Sequence, residues 1–88
     1  MEKIYTIIAV LEDIGEPTKI HIIGSYHSLD NAKKAMDDHI KNEFSRIVPE
    51  VELDDFIKDG YQTNDRWVYD DDNGLIAYYD VFETTLND

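Results

Sequence analysis

The chain has no cysteine, two prolines and four glycines, and far fewer basic than acidic residues. The lack of cysteine excludes a disulfide framework and thiol chemistry, and it fits a reducing cytoplasm. Eight Lys and Arg residues against twenty Asp and Glu residues give a net charge of −12. That charge argues against direct binding to nucleic acid or to anionic lipid. We therefore expect a cytoplasmic protein that has no cofactor and contacts neither nucleic acid nor membrane.

The length of 88 residues predicts a single domain, 1–88, with one modest core. Six Tyr, three Phe and one Trp supply bulky packing groups, so the composition is globular rather than disordered. The N-terminal segment is MEKIYTIIAVLED. Its short apolar run and acidic flanks are typical of neither a signal peptide nor a membrane span.

The negative charge is concentrated in the second half of the chain. Up to residue 49, eight acids face six bases, whereas the remaining residues carry twelve acids and two bases, Lys58 and Arg66. A strong field of one sign attracts oppositely charged partners from a distance. The asymmetry therefore predicts an acidic contact surface, and the alternative is a solvated acidic face that keeps the protein soluble.

The first strands are predicted as a β-hairpin. Residues 3–12 alternate as a strand does, and both faces are apolar, which is typical of a central strand or of one with a partner. Gly and Pro within 13–18 favour a turn, and the isoleucine-rich segment 19–26 predicts the second strand.

A long amphipathic helix is predicted after the hairpin. Ser28 is a good N-cap, and the helix is expected to end near Val48 because a proline follows it. The apolar stripe consists of Leu29, Ala32, Met36, Ile40 and Phe44. The polar face predicts two ion pairs, Asp30 with Lys34 and Asp37 with Lys41.

A second, shorter helix is predicted between the long helix and the C-terminal strands. Pro49 is tolerated in a first helical turn, and Gly60 is a plausible C-terminal cap. A structured loop is the alternative for this segment. Residues 61–65 are predicted to form a loop.

The C-terminal segment predicts a second hairpin. Strands are expected at 66–69 and 75–84, joined by a turn in which Asn73-Gly74 tolerates positive φ. The fold class is therefore α+β, with the element order β-β-α-(α)-β-β. We expect an antiparallel four-stranded sheet of two hairpins, covered on one face by the long helix and the short second helix.

The junction between the first hairpin and the long helix reads Gly24-Ser25-Tyr26-His27-Ser28-Leu29-Asp30-Asn31-Ala32. It resembles a group of short phage and bacterial proteins in which a strand ends in Gly-x-aromatic-x-Ser-x-acid-x-Ala and continues into a helix. This likeness covers about thirty residues and carries no catalytic residue. In size, acidity and lack of cysteine the chain also resembles phage anti-defence inhibitors, the anti-CRISPR and anti-restriction classes, several of which mimic DNA. That resemblance implies an inhibitor in the cytoplasm of a bacterial host.

Metal binding and catalysis have weak signals. A calcium loop aligned on Gly74 lacks its first ligand, since Tyr69 takes that position, and it has the shorter Asp80 at the last position. His21, His27 and His39 show no ligand spacing for zinc. No serine lies in a nucleophile elbow, so we expect neither a metal site nor an enzyme.

The predicted site is an acidic surface that occupies the basic, nucleic-acid-binding surface of a partner protein. Alternate residues of a strand are about 6.6 Å apart and two steps along one DNA strand rise about 6.8 Å, so rows of carboxylates can approximate phosphates. The expected contact residues are Glu52, Asp54, Asp55, Asp70, Asp71, Asp72, Trp67, Tyr69 and Tyr79. The alternative is a homodimeric structural or regulatory module that associates through sheet edges or through the second apolar face of the first strand.

Overall fold

The computed structural model describes residues 2–63 and 65–86. It has the predicted α+β class, with two helices and five strands. The elements are β1 (Glu2–Asp13), β2 (Lys19–Tyr26), α1 (Leu29–Ile47), α2 (Leu53–Asp59), β3 (Tyr61–Gln62), β4 (Arg66–Asp70) and β5 (Leu75–Leu86). In the part of the chain that the structure describes, neither helix has the length and apolar character needed to cross a bilayer.

The two longest strands, β1 and β5, lie at the centre of the sheet. The strand order is β2-β1-β5-β4-β3, and every neighbouring pair is antiparallel. β1 and β5 pair over their whole length, from Glu2 opposite Leu86 to Asp13 opposite Leu75. This central position explains why both faces of β1 are apolar, as the sequence predicts.

The prediction of four strands is wrong, because a fifth strand forms within the predicted loop 61–65. Tyr61 pairs with Val68 and Gln62 pairs with Trp67, so β3 extends the sheet beyond β4. Two residues are too few to produce a readable alternation of polar and apolar side chains. This strand forms because α2 ends beside β4 and delivers the chain to that edge.

α1 follows the predicted pattern closely. The Asn31 amide donates to Ser28 Oγ at 3.1 Å, which confirms the N-cap. The stripe residues Ala32, Met36, Ile40 and Phe44 are buried, whereas Leu29 is exposed. Neither predicted ion pair is among those of the described residues; on α1, Arg46 pairs instead with Glu43, 2.5 Å away.

The second helix begins later than predicted. Pro49 lies in a turn, and α2 starts at Leu53 with Glu52 at its N-cap. The Val51 amide donates to the Val48 carbonyl across this turn at 3.4 Å. Both valines are buried, so the turn adds two apolar side chains to the core before α2 begins.

The β4–β5 turn also differs in detail from the predicted Asn73-Gly74 turn. The residues with positive φ are Asp72, at 62°, and Gly74, at 101°, rather than Asn73. The connection is four residues long, and Asp side chains hydrogen-bond to its backbone, which favours a wider turn than the two-residue type.

Both helices pack on one face of the sheet, around a cluster of aromatic rings. The Phe56 ring centroid lies 4.5 Å from that of Phe44, 5.7 Å from that of Trp67 and 6.0 Å from that of Tyr79. In the described residues no element covers the opposite face, which we call the open face. Its exposed apolar side chains include Ile20, Ile22 and Phe82.

Gly60 joins α2 to β3 at a point of close approach. A Cβ at this position would overlap the Phe56 carbonyl oxygen and come within 2.9 Å of the Val68 carbonyl oxygen. Backbone atoms cannot move aside without shifting α2 or β4. We therefore expect Gly60→Ala to lower the free energy of unfolding by about 1–3 kcal/mol in urea titrations.

Gly24→Ala is the matched control, because a Cβ there would meet the Tyr26 side chain, with its hydroxyl nearest at 3.1 Å. The Tyr26 ring can shift by a few tenths of an ångström without moving the backbone, so the loss should be smaller than at Gly60. Equal losses for the two variants would contradict the assigned role of Gly60.

Candidate functional site

Two turns of the chain meet at one end of the sheet. The antiparallel pairing of β1 with β5 places Asp13 opposite Leu75, so the β1–β2 turn lies beside the β4–β5 turn. The Ile14 amide donates to the Gly74 carbonyl at 3.2 Å, and the Ile14 side chain lies over Gly74. Acidic residues in either turn therefore share one end of the molecule, although about sixty residues separate them.

The end of β1 and the β1–β2 turn contribute three acids to this end of the sheet that the sequence pattern did not single out. They are Glu12, Asp13 and Glu16. In the sheet register Glu12 is opposite Ile76, and Ile76 is opposite Asp70 on its other side. Glu12 and Asp70 thus project from the open face on either side of one isoleucine, about 10 Å apart at two strand spacings.

The segment between α1 and α2 brings a further carboxylate to the same end. Asp13, Glu16, Lys19 and Glu50 line a groove of about 330 Å³. Lys19 Nζ lies 3.6 Å from Glu50 Oε2, and both side chains are at least partly exposed. Three carboxylates therefore share this groove with one ammonium group.

α2 and the β4–β5 turn converge around Tyr69. Loss of hydration raises the pKa of Tyr69, and the negative charges of Asp55, Asp71, Asp59 and Asp70 raise it further. Two of these carboxylates belong to α2 and two to the end of β4 and its turn. The Tyr69 ring centroid lies 6.4 Å from that of Phe56 on α2, so Tyr69 contacts α2 and also adjoins the β4–β5 turn.

Together these groups form what we call the acidic end. Its members are Glu12, Asp13, Glu16, Glu50, Asp55, Asp59, Asp70, Asp71 and Asp72. Among the described residues, Lys19 is the base that lies within 4.0 Å of any of these nine carboxylates. Glu52 and Asp54 are exposed at the start of α2, and Asp88 lies outside the described residues.

Hydrogen bonds hold the carboxylates of the β4–β5 turn in place. Asp71 Oδ1 accepts from the Asn73 amide at 2.8 Å and from the Leu75 amide at 3.0 Å. Asp70 Oδ1 accepts from the Asp72 amide at 2.8 Å. These bonds use Asp71 Oδ1 for the turn itself rather than for the ligand position of a calcium loop. Side chains that are already ordered lose less conformational entropy on binding.

Two acids of the second half are neutralised away from the acidic end. Asp80 is buried, and its Oδ2 accepts from Arg66 Nη2 at 2.6 Å. Asp80 raises the pKa of Arg66 through this hydrogen bond and through its charge. Glu83 pairs with Lys3 at 3.1 Å. The prediction that the acidic surface belongs to the second half of the chain is therefore only partly right. Acids from the first half also form this surface, and Asp80 and Glu83 from the second half do not.

The three aromatic candidates have different environments. Tyr79 is completely buried, so its prediction as a contact residue is wrong: strand alternation turns it toward the helices. Trp67 is partly buried against Phe56. Its indole nitrogen lies close to Gly60, 3.0 Å from where a Cβ would be. Tyr69, half-buried among the carboxylates, remains the aromatic candidate at the acidic end.

Metal ligands do not converge in the described part of the chain: no group of three or more His, Asp or Glu side chains has the arrangement to hold an ion. His39 instead has a structural partner, because its Nδ1 lies 2.9 Å from the Tyr79 hydroxyl. Burial raises the pKa of Tyr79, so the phenol stays protonated and can donate to the neutral imidazole.

The Arg66–Asp80 pair should contribute more to stability than an exposed ion pair, because the Asp80 side chain is buried. Arg66→Met would leave the buried Asp80 carboxylate without its cation, and we expect a loss of about 1–3 kcal/mol in the free energy of unfolding. Arg66 is half-exposed, which keeps the value below that of a fully buried pair.

The matched control is Lys3→Met, since Lys3 and Glu83 are 61% and 51% exposed. That exposed pair should contribute little to the free energy of unfolding, because solvent screens it. Urea denaturation of both variants measures the difference, and a larger loss at Lys3 would contradict the assignment.

His39 predicts a pH dependence of stability. Burial lowers the pKa of His39 below its ordinary 6.5; Glu43 opposes this shift and Arg46 adds to it. As the pH falls through 6.5, His39 becomes protonated in the unfolded chain but stays neutral in the folded chain, where its pKa is lower. The free energy of unfolding should therefore fall from about pH 7 to pH 5.

Chemical denaturation across this range should show a flatter slope for His39→Gln than for the wild type. His21→Gln, at an exposed position on β2, controls for the substitution itself. If His39→Gln keeps the full slope of the wild type, another group causes it.

Comparisons with known proteins do not indicate a function for this chain. The chain matches no family model, no curated protein and no solved structure. The function is therefore inferred from the placement of the charged residues.

Proposed function

We propose that this protein is a small acidic inhibitor that binds the basic, nucleic-acid-binding surface of another protein through its acidic end. One observation carries the proposal. In the part of the chain that the structure describes, three segments that are distant in sequence bring nine carboxylates to one end of the sheet, and Lys19 is paired with one of them, Glu50. We propose the cytoplasm as the compartment, because the chain has no cysteine.

The charge of the acidic end suits such a partner. Surfaces that bind nucleic acid present Lys and Arg to phosphates, and a carboxylate can accept the same hydrogen bonds from those groups. Carboxylates about 10 Å apart across strands, and closer within the Asp70-Asp71-Asp72 turn, offer several anionic points on one surface. A protein with this surface would compete with nucleic acid for the same site.

Electrostatics would also govern the kinetics of this interaction. The net charge of −12 attracts a basic partner over distances beyond contact. At physiological ionic strength the screening length is about 8 Å, so added salt should slow association steeply. The half-buried Tyr69 side chain would supply an aromatic contact beside Asp55, Asp59, Asp70 and Asp71.

Simultaneous Asp70→Asn, Asp71→Asn and Asp72→Asn substitutions test the site. Asparagine Oδ1 accepts the same backbone hydrogen bonds as Asp70 and Asp71, so the turn should survive while three charges are lost. We expect the variant to bind the partner at least about tenfold more weakly at low salt. Circular dichroism should show an unchanged fold.

The control carries the same net charge but spares the acidic end. It combines Glu2→Gln, Asp30→Asn and Asp38→Asn, three exposed positions near the other end of the sheet or on α1. Immobilised wild type, variant and control would be exposed to nuclease-treated lysate and eluted with rising salt. We expect the wild type and the control to capture basic nucleic-acid-binding proteins, and short duplex DNA to displace them. The variant should not capture these proteins. Equal capture by variant and control would contradict the proposed site.

A further inference from the structure

The outer edge of β2 is uncovered. β2 pairs with β1 on one side, and within the described residues no strand pairs with its other side. Its residues 19–22 are all exposed, and Ile20 and Ile22 are 62% and 75% exposed on the open face. An edge strand presents unpaired backbone N–H and C=O groups, which makes it a template for another strand.

β2 lacks most of the features with which proteins protect a sheet edge. It contains no proline and no acid, and the shift in its register with β1 lies beyond Ile22. The segment 19–22 therefore forms a regular edge with one lysine. Charged side chains and bulges at the middle of an edge are the usual protection, and both are absent from the middle of this segment.

We infer that β2 pairs antiparallel with β2 of a second copy of this chain, forming a continuous ten-stranded sheet. The distribution of charge points to this occupant and orientation. A chain of charge −12 repels its own copies wherever acids meet, and β2 is the strand of more than two residues on which no acid occurs. The acid-free edge is therefore the place where two copies approach at least electrostatic cost.

Antiparallel pairing also separates the two acidic ends. β2 starts beside the acidic end at Lys19 and runs away from it for eight residues, about 27 Å of strand. In a symmetric antiparallel pair with residue 22 opposite residue 20 or 22, the two Lys19 residues lie about 14–20 Å apart along the joint strand, and the acidic ends extend outward beyond them. That separation is about two screening lengths at physiological salt. Parallel pairing would bring them side by side.

The apolar side chains also match across the pair. Residues directly opposite in an antiparallel ladder point to the same face. The registers that set residue 22 opposite residue 20 or 22 keep the two open faces aligned, and they place isoleucines 20 and 22 of both copies in one apolar patch. This patch removes exposed isoleucine from water, while both acidic ends stay accessible; the inference does not depend on the proposed inhibitor function.

Analytical ultracentrifugation of the wild type from about 10 µM to 1 mM tests the pairing, a range that covers weak specific association. We expect a dimer that increases with concentration and strengthens with salt, because salt screens the remaining repulsion. Ile22→Lys should remain monomeric throughout, and at 75% exposure this substitution should leave the fold intact. A wild type that stays monomeric at 1 mM, at low and at high salt concentration, overturns the inference.

Phe82→Lys is the matched control, the same type of change on the open face but on the central strand β5 and 50% exposed. It should dimerise like the wild type. If Phe82→Lys abolishes the dimer and Ile22→Lys does not, the copies meet face to face and the edge pairing is wrong.

The absence of cysteine allows a direct test of the contact. Ile22→Cys should form a disulfide-linked dimer under mild oxidation, because residue 22 lies opposite residue 20 or 22 of the other copy. Ile14→Cys, 79% exposed at the acidic end, is the control and should oxidise more slowly. Faster dimer formation by Ile14→Cys would contradict the antiparallel pairing.

Discussion

The pairing of β1 with β5 is the interaction on which the rest of the structure depends. These two strands of twelve residues come from opposite ends of the described chain and pair along their full length. Their helix-facing side chains form the floor of the core, on which α1 and the aromatic rings of Phe44 and Phe56 pack. Each hairpin contributes one central strand, so neither can complete the sheet alone.

The same pairing creates the electrostatic character of the molecule. By placing Asp13 opposite Leu75, it aligns two acidic turns that would otherwise be unrelated. Crowding of like charges opposes folding, and the hydrogen bonds of Asp70 and Asp71 to the turn backbone offset part of that cost. The acidic end, the acid-free edge of β2 and the open face then form three chemically distinct surfaces on one small sheet.

Local patterns predicted the elements well where they were long. The Ser28 cap, the buried stripe of α1 and the two hairpins all follow from periodicity and turn residues. The failures lie where a few residues respond to tertiary contacts: Tyr61 and Gln62 pair with β4, and Pro49 forms a turn rather than the start of α2. Tyr79 is buried because its place in the alternation of β5 faces the helices, a fact that its acidic neighbours obscured.

The amino-acid sequence by itself determined the net charge, the absence of thiol chemistry and the apolar periodicities that make strands and helices, since these depend on composition and on neighbours along the chain. The tertiary structure decided which carboxylates share a surface. The pairing of β1 with β5 brought Glu12, Asp13 and Glu16 to the acidic end, which no local pattern at a strand end or in a turn indicates. Asp80 and Glu83, on β5, lie away from that end and pair with Arg66 and Lys3.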